Sequence, residues 1–252
     1  MSIKGIVQNA INATGFDIVR ARVRDGEIMT GLFEVFLEYF ILAQGKGSIL
    51  QVGANDGVRA DPVSGLIRKY DLDAVLIEPL PDMFEDLQKN YLGCANVRFE
   101  NVAISTKDGT AALFRIKRDC NSVPDWAHGI ASFDKNHLLR LANAPDVADR
   151  KSFGEAIEPV SVPVTTVSTI VERHPELQRM LALQIDTEGH DFVVIQSAMA
   201  AGCRPTLIHY EDRSLSLADQ RACRAMLMDL GYGFVSEIGD AIAVQRGALP
   251  AA

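Results

Sequence analysis

The residues best suited to chemistry in this sequence sit in short segments that directly follow apolar runs. Asp186-Thr187-Glu188-Gly189-His190-Asp191 places four ionisable groups in six positions after the run 181–185. A following helix would use one acid near its N-terminus, and Asp191 is placed to cap it; the others have no such use. Gly53-Ala54-Asn55-Asp56-Gly57 follows the run 49–52, and its glycines let the backbone turn sharply and approach a ligand closely. Glu78 comes 21 residues after Gly57, the separation at which an acid beyond the next strand can accept hydrogen bonds from ribose hydroxyls. Its plain alternative is a surface acid before the turn Pro79-Leu80-Pro81. Asn101 and the amides of Val102 and Ala103 can meet an adenine edge. Glu211 and Asp212 add acids after the run 206–210. His137, His174 and His209 are expected to be structural or exposed.

These groups need a frame to bring them together. Residues 49–52, 74–77, 97–104, 161–164, 181–185 and 206–210 read as short strands. Helical spacing separates most of them, at 62–70, 81–91, 167–174, 192–199 and 217–230. Asp61 before Pro62 is a start signal, a capping carboxylate followed by proline at the first helical position. Lys107-Asp108-Gly109 reads as a turn that returns residues 110–116 as a hairpin partner of the third strand. Residues 234–238 and 241–245, joined at Gly239-Asp240, read as a terminal hairpin. Such alternation predicts a doubly wound α/β sheet, whose ligands bind outside the carboxyl ends of the strands. The candidate acids all fall at those ends.

Two regions stand outside the alternation. Ile3, Ile6, Val7, Ala10 and Ile11 are helically spaced within 3–24, as are Leu32, Phe36, Tyr39, Phe40 and Ala43 within 29–44. These predict a helical extension over 1–47 ahead of a main domain over 48–252, and their apolar faces offer a homodimer surface. The segment 117–159 holds the only tryptophan, Trp126, and few apolar runs. It is expected to be a lid or substrate-binding insertion, with a helix from about Phe133. Its block 126–133, with His128 and Ser132, is a candidate to contact an acceptor, or to plug onto the core through Trp126 and Phe133.

The formal charge of −8 argues against non-specific nucleic-acid binding, which draws its affinity from Lys and Arg on phosphates. No apolar run approaches the ~18 residues that span a bilayer, and no signal-peptide pattern opens the chain. A cytoplasmic protein with free thiols is therefore expected, and the four cysteines form no CxxC pair. The glycines are spaced G-x-x-x-G instead of the dinucleotide pattern, and Asp56 would repel a pyrophosphate. With no Tyr-x-x-x-Lys pair either, a nucleotide-sugar oxidoreductase is disfavoured. A catalytically silent binding module is the other alternative, but it has no need of the intact loop, Glu78 and the acids.

Gly53-Ala54-Asn55-Asp56-Gly57, Ile77-Glu78-Pro79, Ile185 to Asp191 and Gly231-Tyr232 together resemble the FkbM family of S-adenosylmethionine-dependent methyltransferases. The likeness runs from about Ser48 to Gln245. It implies a Rossmann-like class I fold, a seven-stranded sheet with an antiparallel terminal hairpin, and O-methylation of a small hydroxylated acceptor such as a sugar or polyketide. Cofactor-binding positions are then Gly53, Asn55, Asp56, Gly57, Glu78, Asn101, Val102, Ala103 and Asp186. An alcohol is a poor nucleophile and needs a base or a metal. Asp186, Glu188, His190 and Glu211 are the candidate catalytic groups. Asp186, Glu211 and Asp212 alternatively suit a divalent ion such as magnesium, a layout that resembles metal-dependent catechol and sugar O-methyltransferases.

Overall fold

A computed structural model describes residues 31–237 and 239–248. The reading of a helix within 3–24 lies outside the described residues. The main sheet has seven strands: β1 (Ser48–Val52), β2 (Ala74–Ile77), β3 (Val97–Glu100), β8 (Met180–Ile185), β9 (Leu207–Glu211), β10 (Tyr232–Ser236) and β11 (Asp240–Gln245). Their spatial order is β10-β11-β9-β8-β1-β2-β3. β3, β2, β1, β8 and β9 run parallel, and β11 enters antiparallel between β9 and β10. This is the doubly wound sheet with a terminal hairpin that the alternation predicts. The chain reverses its winding between β1 and β8, which opens a crevice at their carboxyl ends.

Both faces are covered, as a parallel sheet requires. Leu50, Val52, Val75, Ile77, Leu183, Ile185, Ile208 and Tyr210 face one apolar layer. There they meet α6 (Val167–Arg173), α7 (Asp191–Ala200) and α8 (Leu217–Asp229). The alternate positions, Ile49, Ala74, Leu76, Ala182 and Leu207, face α1 (Leu32–Gln44), α2 (Ser64–Tyr70) and α3 (Pro81–Asn90). α1 buries Phe33, Leu37, Phe40 and Ile41, so its inward face is turned by about one residue from the expected stripe through Phe36 and Ala43. It shares its core with the sheet, and the described residues from Leu32 onward form one compact unit. Among the described residues, no helix is long and apolar enough to cross a membrane.

Residues 103–165 depart from the simple alternation. The expected third strand breaks at Asn101: β3 stays in the main sheet, while β4 (Ala103–Ile104) joins a second sheet with β5 (Gly109–Ile116), β6 (Ala131–Ser132) and β7 (Ile157–Thr165), in the order β4-β7-β5-β6. β5 (Gly109–Ile116) does not fold back on the third strand. It pairs along its whole length with β7 (Ile157–Thr165), which absorbs the short strand expected at 161–164. The segment between them carries a 3₁₀ turn at Asp125–Gly129, β6 (Ala131–Ser132), α4 (Lys135–Leu141) and α5 (Arg150–Glu155). It has a small apolar core of its own, with Val123, Ala127, Leu138, Phe153 and Ile157 buried.

Candidate active site

The loop after β1 is built so that its backbone lies against the next loop. Gly53 has φ +85°, and a Cβ on it would come within 1.8 Å of the Asp186 carbonyl oxygen. Its amide and that of Ala54 both donate to the Ile77 carbonyl. Asn55 takes a left-handed conformation and accepts from the Asp56 amide, while Asp56 accepts from the amides of Val58 and Arg59. One oxygen of the Asp56 carboxylate is therefore engaged by the loop itself. Gly57 packs against Leu87 and Tyr91.

Glu78 closes the other side. One oxygen accepts from the Asn55 amide at 2.9 Å and the other from the Leu80 amide at 2.8 Å. It is buried, and burial pushes its carboxyl up to about 7. Each oxygen keeps a lone pair for a further donor. Asn101 fixes this turn by donating to the carbonyls of Glu78 and Pro79.

These loops enclose a cavity of about 290 Å³. Gly53, Asn55, Glu78, Val102, Ala103, Asp186, Glu188 and His190 line it; Asp56, Gly57 and Asn101 stand behind it as supports. The cavity also contains polar groups that the sequence reading passed over. Gln51 and Gln184 are register partners on β1 and β8, both buried, and the Oε1 of each lacks a hydrogen-bond partner. Asp61 is not the expected cap of α2, because Val63 holds that position; one Asp61 oxygen instead accepts from the Val63 and Ser64 amides in the turn before the helix. Its second oxygen is buried and unpartnered, and α2 begins at Ser64 instead of Pro62. Alternation hides the glutamines: inside an apolar run a single Gln reads as an edge residue.

The acidic block after β8 divides its labour. Asp191 does not cap α7 in the expected way. Fully buried, it accepts from the Thr187 hydroxyl at 2.7 Å and from the Glu211 amide at 3.0 Å, tying the end of β8 to the end of β9. Burial pushes it up to about 6. Asp186 lines the cavity and is exposed to it, with protein atoms crowded around its carboxylate. The desolvation this crowding causes, then the charges of Glu188, Asp191, Glu211 and Asp240, push it well above the usual carboxylate range. Glu188, at φ +52°, accepts from or shares a proton with His137 Nε2 at 2.7 Å. His137, on α4, is buried, in keeping with the structural alternative expected for it, and it also lines the outer cleft beside Glu188. His190 is packed on Phe133 with its Nε2 unpartnered, and burial lowers its affinity for a proton.

A second cleft, of about 940 Å³, adjoins the first. Trp126, Ile130 and Glu188 line both. Arg140, Leu141, Asp146, Arg213 and Leu215 extend it outward. The segment expected to be a lid roofs the first cavity: Asn55 Nδ2 donates to the Gly129 carbonyl and Arg59 to that of Asp125. Ser132 donates to the Glu188 carbonyl at 2.7 Å, and Trp126 donates to Asp146 at 2.7 Å. Glu211 lines the cleft, bonded to Arg213 at 2.6 Å, and Asp212 is bonded to Arg224 at 2.6 Å. Asp186, Glu211 and Asp212 do not converge as metal ligands. Among the described residues, the group whose ligand atoms all lie within 4.8 Å of one another is His209, Glu237 and Asp240.

Among solved structures, the chain is similar to a methyltransferase FkbM from Methylobacillus flagellatus KT, with 12% identity and a TM-score of 0.48, covering 79% of this chain and 43% of that one. It thus spans less than half the length of that protein. It is also similar to a Podospora anserina methyltransferase bound to SAH, with 10% identity, TM-score 0.43 and coverage of 94% and 86%. An O-methyltransferase from Bacillus cereus in complex with SAH gives 10%, 0.40, and 96% and 89%. No curated protein matches. The model of the methyltransferase FkbM domain matches residues 51–235, from the strand before the glycine loop to the first strand of the terminal hairpin, and the chain belongs to that family.

Proposed function

We propose that the chain is an S-adenosylmethionine-dependent O-methyltransferase acting on a hydroxyl of a small metabolite such as a sugar or polyketide. The observation that carries this reading is a pair of adjoining cavities that meet at Glu188, one rich in unpartnered acceptors and one open to a larger molecule. The first fits the cofactor's donors. Glu78 has lone pairs left for the ribose hydroxyls. Gln51 Oε1, Asp61 Oδ2 and Gln184 Oε1 are buried acceptors without partners, the set an ammonium group needs. Val102 and Ala103 offer the apolar floor for a base.

When bound, the cofactor supplies a methyl on a sulfonium, whose departure needs no proton. The protein's part is positioning, plus activation of the acceptor. Glu188 is the group best placed to take the acceptor's proton, because it faces both cavities and one of its oxygens is fixed by His137. Asp186 faces the cofactor side, where its charge is favoured once a cation arrives. The outer cleft mixes apolar surface from Trp126, Ile130, Leu141 and Leu215 with Asp134, Arg140 and Arg213, which suits a hydroxylated ring with one apolar face.

The test is calorimetry with S-adenosylhomocysteine and with NAD, followed by methyl transfer from labelled cofactor to a panel of hydroxylated acceptors. Binding of the first and not the second, with label recovered on oxygen, is the expected result. Micromolar NAD binding without a response to S-adenosylhomocysteine rejects the reading.

A further inference from the structure

Across the middle of the main sheet runs a row that breaks its apolar pattern. Gln51, Gln184 and His209 are successive register partners on β1, β8 and β9, on the face covered by α1. His209 ends the row. It is 8% exposed, its ring stacks on Phe33 at 4.4 Å, and neither ring nitrogen has a hydrogen-bond partner. Two orphaned nitrogens on a buried imidazole are costly, because nothing replaces the water each has lost.

Nε2 of that ring points between two carboxylates, Glu237 Oε2 and Asp240 Oδ2, each 3.8 Å away. That is too long for a hydrogen bond. The acids are themselves crowded. Asp240 is the register partner of Glu211 across β9 and β11, which brings a third carboxylate beside the pair, and Glu211 is itself bonded to Arg213. Glu237 Oε1 is occupied by the Leu32 amide, which leaves Oε2 directed at the histidine.

We infer that His209, Glu237 and Asp240 form a binding site for one divalent transition-metal ion, separate from the methyl-transfer cavities. A neutral imidazole and two carboxylates are a donor set for zinc or manganese. Tetrahedral ligands at about 2.1 Å from zinc stand roughly 3.4 Å apart; the histidine stands 3.8 Å from each acid, and the three ligand atoms all lie within 4.8 Å of one another, close enough for side-chain adjustment to bring them onto one ion. The ion gives the orphaned nitrogen its partner and removes the repulsion between the acids. Its place is structural: it joins β9 to the turn of the β10–β11 hairpin and, through Glu237, to the start of α1. The site requires no cofactor and does not rest on the proposed reaction.

The experiment loads the chelator-stripped full chain with zinc alone or manganese alone, removes free ion by gel filtration, and measures bound metal by mass spectrometry alongside thermal melts. About one ion per chain and a higher melting temperature are expected for wild type, with both lost in His209→Ala and in Asp240→Asn. Far-UV circular dichroism keeps a misfolded variant from counting as a loss, and the more accessible Asp240 position gives a second reading. Asp186→Asn is expected to retain the ion. The inference is overturned if wild type retains neither metal, or if folded His209→Ala and Asp240→Asn retain as much as wild type; retention by all of them would assign the ion to the four thiols or to other acids.

Discussion

Gly53 and Asp186 touch through their backbones: a methyl group on Gly53 would sit 1.8 Å from the Asp186 carbonyl oxygen. The loop after β1 and the loop after β8 are therefore a single unit, and the Asp186 amide donates to Val52 from the same seam. Gly53→Ala adds that methyl at a φ of +85°, so backbone must move. The expected outcome is at least a tenfold loss of S-adenosylhomocysteine affinity together with a lowered melting temperature. Unchanged calorimetry and melting would mean that the seam is soft and the cavity does not depend on it.

Glu78→Ala removes the acid that holds the Asn55 and Leu80 amides and faces the cavity. The loss in binding should be about 1.5–3 kcal/mol, the worth of hydrogen bonds to a charged group. Calorimetry on a folded variant measures it, and wild-type affinity would remove Glu78 from the cofactor site.

The glycine loop, Glu78 and the acidic block were legible in the sequence because each follows a short apolar run, and a doubly wound sheet gathers strand ends at one edge. Their division of labour was not. Asp56 and Asn101 differ from Asn55 and Glu78 only in where their side chains turn, which spacing does not encode. His137 reaches Glu188 across 51 residues through α4, and Gln51 meets Gln184 only through the β1–β8 register. The β5–β7 pairing was missed for a related reason: residues 110–116 have a near turn partner and a distant one, and local pattern favours the near. The inward face of α1 was misjudged because Phe33, Phe36, Leu37, Tyr39 and Phe40 make the helix apolar over most of its circumference.

Stability should depend on pH in an unusual direction. Glu78, at about 7, and Asp191 and Asp240, each at about 6, are raised above their ordinary values mainly by burial. The folded chain thus holds protons that the unfolded chain has released. Their stabilising contribution is fully present below the ordinary carboxylate range and is lost as pH rises through about 6 to 7. Melts of the ligand-free protein should show a falling melting temperature from about pH 5.5 to 8, and Glu78→Gln should flatten that slope. S-adenosylhomocysteine should flatten it too, since ribose donors favour the charged carboxylate. A melting temperature that climbs through this interval would contradict the assignment.

Two bonds tie the roof over the first cavity to the glycine loop. Arg59 and Asn55 hold the carbonyls of Asp125 and Gly129. Closing a site excludes water, so residues 117–159 should become resistant to limited proteolysis when S-adenosylhomocysteine is added. Arg59→Ala should speed cleavage there without lowering the melting temperature much, because Arg59 is exposed. Equal cleavage with and without ligand would count against a lid.

Proton transfer supplies the sharpest test. Glu188 lines both cavities, and His137 fixes one of its oxygens at 2.7 Å. Glu188→Gln keeps the shape and removes the basicity, so turnover should fall by at least ~100-fold, the low end for a positioned acid–base group. Binding of S-adenosylhomocysteine should change little. His137→Gln should lower turnover less and shift the pH–rate profile, because the carboxylate survives but loses its partner. Asp186→Asn should act mainly on cofactor affinity, since its charge balances the cation. Glu211→Gln should act mainly on stability, since it removes the ion pair between the buried Glu211 carboxylate and the exposed Arg213 side chain. If Asp186→Asn abolishes turnover at saturating cofactor while Glu188→Gln remains active, the base is Asp186, and Glu188 with His137 only shapes the wall between the two cavities.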